Sequence, residues 1–444
     1  MVLGTIDIEG LTMSLRSGLG NEISYALTTL TMLSTMAISN KGLQLERCED
    51  LLEAMIDLIE DEAFPNEEDD DDDENIASRE RTVWTRPQLL KQIDDAASIC
   101  EPYSVQLRGP RQEPGVVILA ALNLLRNLAM FPENVKFISR NARVLDVIAR
   151  LSEVVEEDGT FRPSSEAFNL VDLLRIHHET ISIVANLGSS ISLSIHRPRT
   201  SRRLYSLLIS PLVDFENIVR PLHPGLHDRT LPVPHIDMAL DAFSRLAQQD
   251  ANRKVLARVI PHSELTIHFH ALVQMLPISE GDFDVTVGSA PVLDTWMGYL
   301  ERLMQCIYHL VFLSPPPLKR IWRKVPGLTY VFLRMIRFYL GGVRSDRAGF
   351  AASQFDKNSY SVMARRAFEA LSLLDVAEDS FDPVPSAPLA FAPPVVDSAG
   401  VQKEPRGLLS SHFIEVVLTL LAREAMEEVV FAELESLVRL GDVR

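Results

Sequence analysis

The feature that most constrains this chain is a helical plan that recurs along it. From Ala120 to Val155 the sequence reads AALNLLRNLAMFPENVKFISRNARVLDVIARLSEVV. A long apolar helix is predicted to end at Arg126-Asn127-Leu128-Ala129, and Phe131-Pro132 breaks it. A short amphipathic helix follows, with Pro132 suited to its first turn, where the missing N–H costs nothing. A third helix carries Val144, Leu145, Ile148 and Leu151 on one face. One such unit is too small to bury its own apolar faces. Neighbouring units must bury them together, which restricts the chain to a stacked architecture.

The plan returns at ETISIVANLGSS around Glu179, at DMALDAFSRLAQQDANRKVLARVI around Asp237 and at LERLMQCIYHLVFLSPPPLKRIWRKVPGLTYVFLRMIRFYL around Leu300. Tyr25 to Ile59 matches it as well, and ARRAFEALSLLDVA from Ala364 is a shorter echo. Three helices in a unit of about 40 residues is the armadillo period. The anchors Leu128, Leu187, Leu246, Leu310 and Leu373 lie 59 to 64 residues apart, so insertions must separate the units. We therefore expect an all-α fold: an armadillo-like helical repeat solenoid (an α-α superhelix) with disordered acidic and Pro-rich insertions. Irregular repeats are expected over 1–380. The acidic run EDEAFPNEEDDDDDEN is expected to form a disordered insertion over about 61–80, because like charge repels and carries no core. A Pro/Ala-rich linker is expected over 381–407 and capping helices over 408–444. Leu125, Leu128, Val184, Phe243 and Leu246 are the predicted core. No strand alternation is legible, so no sheet is expected.

Composition narrows the function. Hydrophobic residues make up 46%, enough for a large core, while 43 Lys+Arg stand against 61 Asp+Glu, a net charge of −18. A chain this acidic is not expected to bind DNA over its general surface, which needs a positive field. Cys48, Cys100 and Cys306 are scattered and odd in number, which suits a reducing compartment and argues against a disulfide framework or zinc module. Residues 1–30 show no signal-peptide pattern, and no apolar run reaches the ~18 residues of a membrane span. The abrupt Met-Val-Leu opening reads as the start of a piece of something longer.

Chemistry-bearing motifs are not found. His177-His178-Glu179 lacks the second histidine of HExxH. His268 and His270 are two apart and diverge on a helix. His223, His227 and His235 have no paired acid or cysteine, so no metal site is expected. There is no GxGxxG, no P-loop and no GxSxG. No catalytic residue, no cofactor, no metal and no small-molecule substrate is therefore assigned, and the chain is not read as an enzyme.

Two basic clusters stand out against the acidic whole. The first is Arg197, Arg199, Arg202 and Arg203 at a helix entry; the second is Lys319, Arg320, Arg323 and Lys324, with Arg334 and Arg337 on the next helix. Tyr330 belongs to a stretch, Leu328 to Leu340, that is apolar nearly all round. Such a stretch is either buried between repeats or a partner-binding face with aromatic and arginine anchors. These eleven residues are the candidate partner-binding set, weighed against a solvated helix face. A peptide-carrying adaptor of the importin or catenin kind is the alternative. Importin-type proteins pair Trp with Asn four residues on, but Leu300 and Pro326 occupy those places after Trp296 and Trp322, and Trp84 also lacks the Asn.

Two segments carry a resemblance to a known family. EISYALTTLTMLSTMAISNKGLQLERCEDLLEAMIDLI with its acidic insertion, and LNLLRNLAMFPENVKFIS, resemble the armadillo-like core-binding region of the ARID-bearing (Osa-like) large subunit of Swi/Snf chromatin-remodelling complexes, in its fungal form. The resemblance covers roughly Leu3 to Leu440 in diffuse helix patterns. It implies a non-catalytic nuclear scaffold in transcription regulation. Its implied partners are other subunits of the complex, including core scaffold subunits and the ATPase. The family's DNA-binding domain is not recognisable here, so direct DNA binding by this chain is not expected.

Overall fold

The computed structural model describes residues 7–35, 43–65, 81–99, 113–157, 160–213, 233–277, 290–341 and 357–382. They are mostly helical. The expected insertion beyond Pro65, the linker beyond Asp382 and the capping helices over 408–444 lie outside the described residues. Two compact units are present: Met1–Asn217 with Pro234–Ile260, and Ile218–Val233 with Pro261–Arg444.

The first unit contains α1 (Ile8–Leu15), α2 (Gly20–Thr35), α3 (Glu49–Ala63), α4 (Arg86–Ile99), α5 (Glu113–Ala129), α6 (Pro132–Arg140) and α7 (Ala142–Arg150). It continues with α8 (Leu170–Leu187), α9 (Pro198–Ile209), α10 (Pro234–Leu246) and α11 (Asp250–Val259). Pro132 opens α6 and Pro198 opens α9, each at a first-turn position that needs no N–H. The longer helices α2, α5, α8 and α10 pack neighbour on neighbour in chain order, and α3, α7, α9 and α11 form a second row beside them. Leu125, Leu128, Val184, Phe243 and Leu246 are all buried in this unit, as their periodicity predicts.

Polar contacts tie the first row together. Asn127 of α5 donates to Ser34 Oγ of α2 at 3.2 Å, and Arg126 donates to Glu179 of α8 at 3.0 Å. In the second row, Arg143 of α7 spans Glu53, Asp57 and Glu60, spaced to share one face of α3. Burial works against the Arg143 charge, but the bonds to Glu60 and Asp57 outweigh it and raise its pKa. Gly188, where the parallel segments have Ala129 and Ala247, lets α8 approach α10: a Cβ there would sit 2.9 Å from that of Arg245.

One arrangement occurs twice. The Asn134 side chain in α6 accepts from Leu45 N–H at 2.9 Å and donates to the carbonyls of Leu43 at 2.8 Å and Leu128 at 3.2 Å. The Asn252 side chain in α11 accepts from Leu193 N–H and donates to the carbonyls of Ile191 and Leu246, all at 2.8 Å. Leu45 and Leu193 each open a short 3-10 turn, Leu45–Arg47 and Leu193–Ile195. In both places a buried amide joins such a turn to the end of the next long helix.

The expectation of no sheet is corrected. Strands β1 (Arg81–Thr82), β2 (Val154–Glu157) and β3 (Thr160–Pro163) form a small antiparallel sheet in the order β1-β2-β3. Its register pairs Arg81 with Val155 and Glu156 with Phe161. The helical chain order also runs further than expected at α3, which includes Asp61, Glu62 and Ala63.

The second unit contains α12 (His262–Gln274), α13 (Ala290–Leu313), α14 (Pro316–Trp322), α15 (Leu328–Gly341) and α16 (Lys357–Val376). Helix α16 packs against both α13 and α15. The core includes Trp296, Tyr299, Phe332 and Phe368, and Phe269 lies flat on Trp322 with ring centroids 4.1 Å apart.

Candidate partner-binding surface

The two basic clusters fall in different units. In the first, Arg197 takes the N-cap position of α9, and Arg199 and Arg202 are exposed on its first turns. No acid occupies that first turn, although the positive end of a helix dipole favours one. Arg203 points inward instead. Its Nε lies 2.8 Å from Glu153 Oε1, with both side chains almost fully buried. It therefore holds α9 to the end of α7 and presents no charge to a partner. Nearby, Thr200 donates to Asp146, and the Arg150 guanidinium sits 3.8 Å above the Phe64 ring. Burial, with Arg203 and Arg199 close by, lowers the Arg150 pKa.

The second cluster divides in the same way. Arg320 is exposed on α14, Lys324 is exposed two residues past its end, and Tyr330 is exposed on the first turn of α15. Arg323 and Arg334 are half-buried, and the Arg337 side chain lies outside the described residues. Lys319 is fully buried. Its Nζ donates to the Glu378 carbonyl at 2.7 Å and to Ser380 Oγ at 2.6 Å. Burial lowers its pKa to about 8 against the opposing pull of Asp379. Arg323 Nη1 reaches the Asp375 carbonyl at 3.3 Å. Lys319 and Arg323 are thus anchors for α14 at the end of α16. Ile321, 57% exposed between two cations, is a surface residue that the sequence reading passed over. Within KRIWRK, Lys319 and Trp322 point inward while Arg320, Ile321 and Lys324 are exposed, the three-and-four spacing of a helix that the sequence carries. Among the described residues of the apolar stretch, Leu328, Phe332, Leu333, Met335 and Ile336 are buried.

His177 is buried, with Nε2 2.9 Å from the Ser152 carbonyl oxygen, and burial brings its pKa to about 4 with Arg86 nearby adding to the drop. His268 is buried, with a pKa of about 3 for the same reason. His235 is brought to about 4 by burial, Arg86 and His178, while His223 and His227 lie outside the described residues. Among the described residues no group of three or more His, Cys, Asp or Glu is placed to hold a metal ion, and no helix is long and apolar enough to cross a membrane.

These surfaces place exposed cations near exposed apolar side chains. The chain is similar to a remodeller subunit. That relative is the SWI/SNF chromatin-remodeling complex subunit sol1 of Schizosaccharomyces pombe, 22% identical over 278 residues. The match covers 57% of this chain and 30% of the relative, so the chain spans under a third of that protein. No family model matches the chain. The relation is distant, and it supports kinship with a SWI/SNF complex subunit.

Proposed function

We propose that this chain is a non-catalytic scaffold of a nuclear, ATP-dependent chromatin-remodelling complex of the SWI/SNF kind. In this reading it is the armadillo-like core-binding region of an ARID-bearing subunit. It docks sibling subunits, among them core scaffold subunits and the ATPase, and so supports transcription regulation. The observation that carries the reading is the similarity to a SWI/SNF subunit. The two-row packing of the first unit and its repeated asparagine bridge support the armadillo-like part, because each helix there is completed by the next. The adaptor alternative loses ground at the tryptophans: Trp296 and Trp322 are buried, so neither ring can line a peptide groove.

Affinity purification of the tagged full-length chain from nuclear extract tests the proposal. The expected result is recovery of remodeller subunits, with the ATPase, in fixed proportion to the tagged chain. Recovery of cargo peptides or junction proteins alone overturns it.

A further inference from the structure

Helix α14 spans seven residues, Pro316–Trp322, and a helix this short does not hold itself together in water. Three side chains pin it. Lys319 and Arg323 reach carbonyls at or just beyond the C-terminal end of α16, where cations are favoured. Trp322 lies 1° from parallel with the Phe269 ring of α12. The opposite face is left outward: Pro317, Arg320 and Ile321 of α14 are exposed at i, i+3, i+4 spacing, and Lys324 is exposed in the turn that follows. Tyr330, 39% exposed, follows on the first turn of α15.

The segment that carries this face differs in sign from the whole chain, with the exposed Glu378 and Asp379 beside Lys319 at the end of α16 as the nearby acids. Between Glu301 and Asp346 there is no acidic residue and there are eight Lys or Arg, in a chain of net charge −18. An acidic partner is therefore drawn to this surface more than to any general part of the molecule. Nucleic acid fits it less well. Phosphate binding draws on many cations, whereas here two exposed cations flank an isoleucine near a tyrosine.

We propose that Arg320, Ile321, Lys324 and Tyr330 dock an acidic amphipathic helix of another protein. Ile321 and Tyr330 receive its apolar stripe, and Arg320 and Lys324 meet its carboxylates. Because α14 is already pinned, little conformational freedom is lost on binding. The proposal rests on the scaffold reading only for where the partner is found.

Site-specific photo-crosslinking tests it. The full chain carrying Ile321→benzoylphenylalanine is expressed in its host cells, irradiated and purified, and the joined peptide is sequenced. The expected adduct is to a segment with Asp or Glu flanking apolar residues three and four apart. R320E/K324E in the same chain should cut the adduct at least about tenfold with no change in melting temperature. If that double variant melts lower, Tyr330→Ala gives the same readout. An adduct to a basic segment, to nucleic acid or to a second copy of the chain overturns the proposal. So does the absence of an adduct, or a yield unchanged by charge reversal. An acidic segment from a protein outside any remodelling complex would leave this surface standing and remove the scaffold reading.

Discussion

At the scale of single residues, a buried amide solves one problem in two places. Leu43, Leu45 and Leu128 present two carbonyls and an N–H to Asn134, and Ile191, Leu193 and Leu246 present the same set to Asn252. Asparagine has donors and an acceptor on one short side chain. Aspartate lacks the donors, and glutamine is a methylene too long. Asn134→Ala and Asn252→Ala should each cost about 2–4 kcal/mol, because buried backbone groups lose their partners. Urea denaturation of each variant checks this, and a loss under about 0.5 kcal/mol would show that the bridges contribute little. The signal was present in the sequence: Leu128-Ala129 and Leu246-Ala247 each precede an asparagine by the same interval. A polar residue in a short amphipathic helix nonetheless reads as solvent-facing, so apolar periodicity located Leu125 and Phe243 but not these amides. Arg203 and Lys319 escaped for a different reason. Whether a cation is buried depends on groups that arrive from far along the chain, Glu153 at 50 residues and Glu378 at 59.

At the scale of elements, length decided what could be read. Helices such as α5 and α8 span several turns and leave a clear period, whereas β1 covers two residues and β2 and β3 four each. The local hint for β2 and β3 was the pair Asp158-Gly159 between them, a dipeptide suited to tight hairpins. Helix α14 shows how a short element is held. Its buried Lys319 has a pKa lowered to about 8 from an ordinary 10.5. Between those values the unfolded chain binds more protons than the folded one, so stability contributed at this site rises as pH increases from 8 to 10.5. Lys319→Met removes the titrating group. Comparing melting temperatures of wild type and K319M across that window should show the wild type gaining relative to the variant. Parallel pH profiles would place the ammonium in a more solvated setting than its contacts imply.

At the scale of the whole molecule, the first unit is a row in which α1 to α3 pack chiefly with one another and on α5 and α7, while α10 and α11 pack on α8 and α9. Stability in such a row is a sum of local terms and neighbour contacts, so damage should stay near its source. The two asparagine bridges sit towards opposite ends of this packing order, which makes them suitable probes. Hydrogen exchange on Asn252→Ala should quicken roughly tenfold or more in α10, α11 and the turn at Leu193–Ile195, with α2 and α3 close to wild type. Asn134→Ala should give the mirror pattern: faster exchange in α3, α6 and the turn at Leu45–Arg47, with α10 and α11 unchanged. The helices between them, α5 and α8, should respond to both variants, since each touches a partner from either side. Uniform acceleration through the unit by either substitution would mean that it opens as one cooperative body. The neighbour-by-neighbour architecture on which the armadillo-like reading depends would then be wrong.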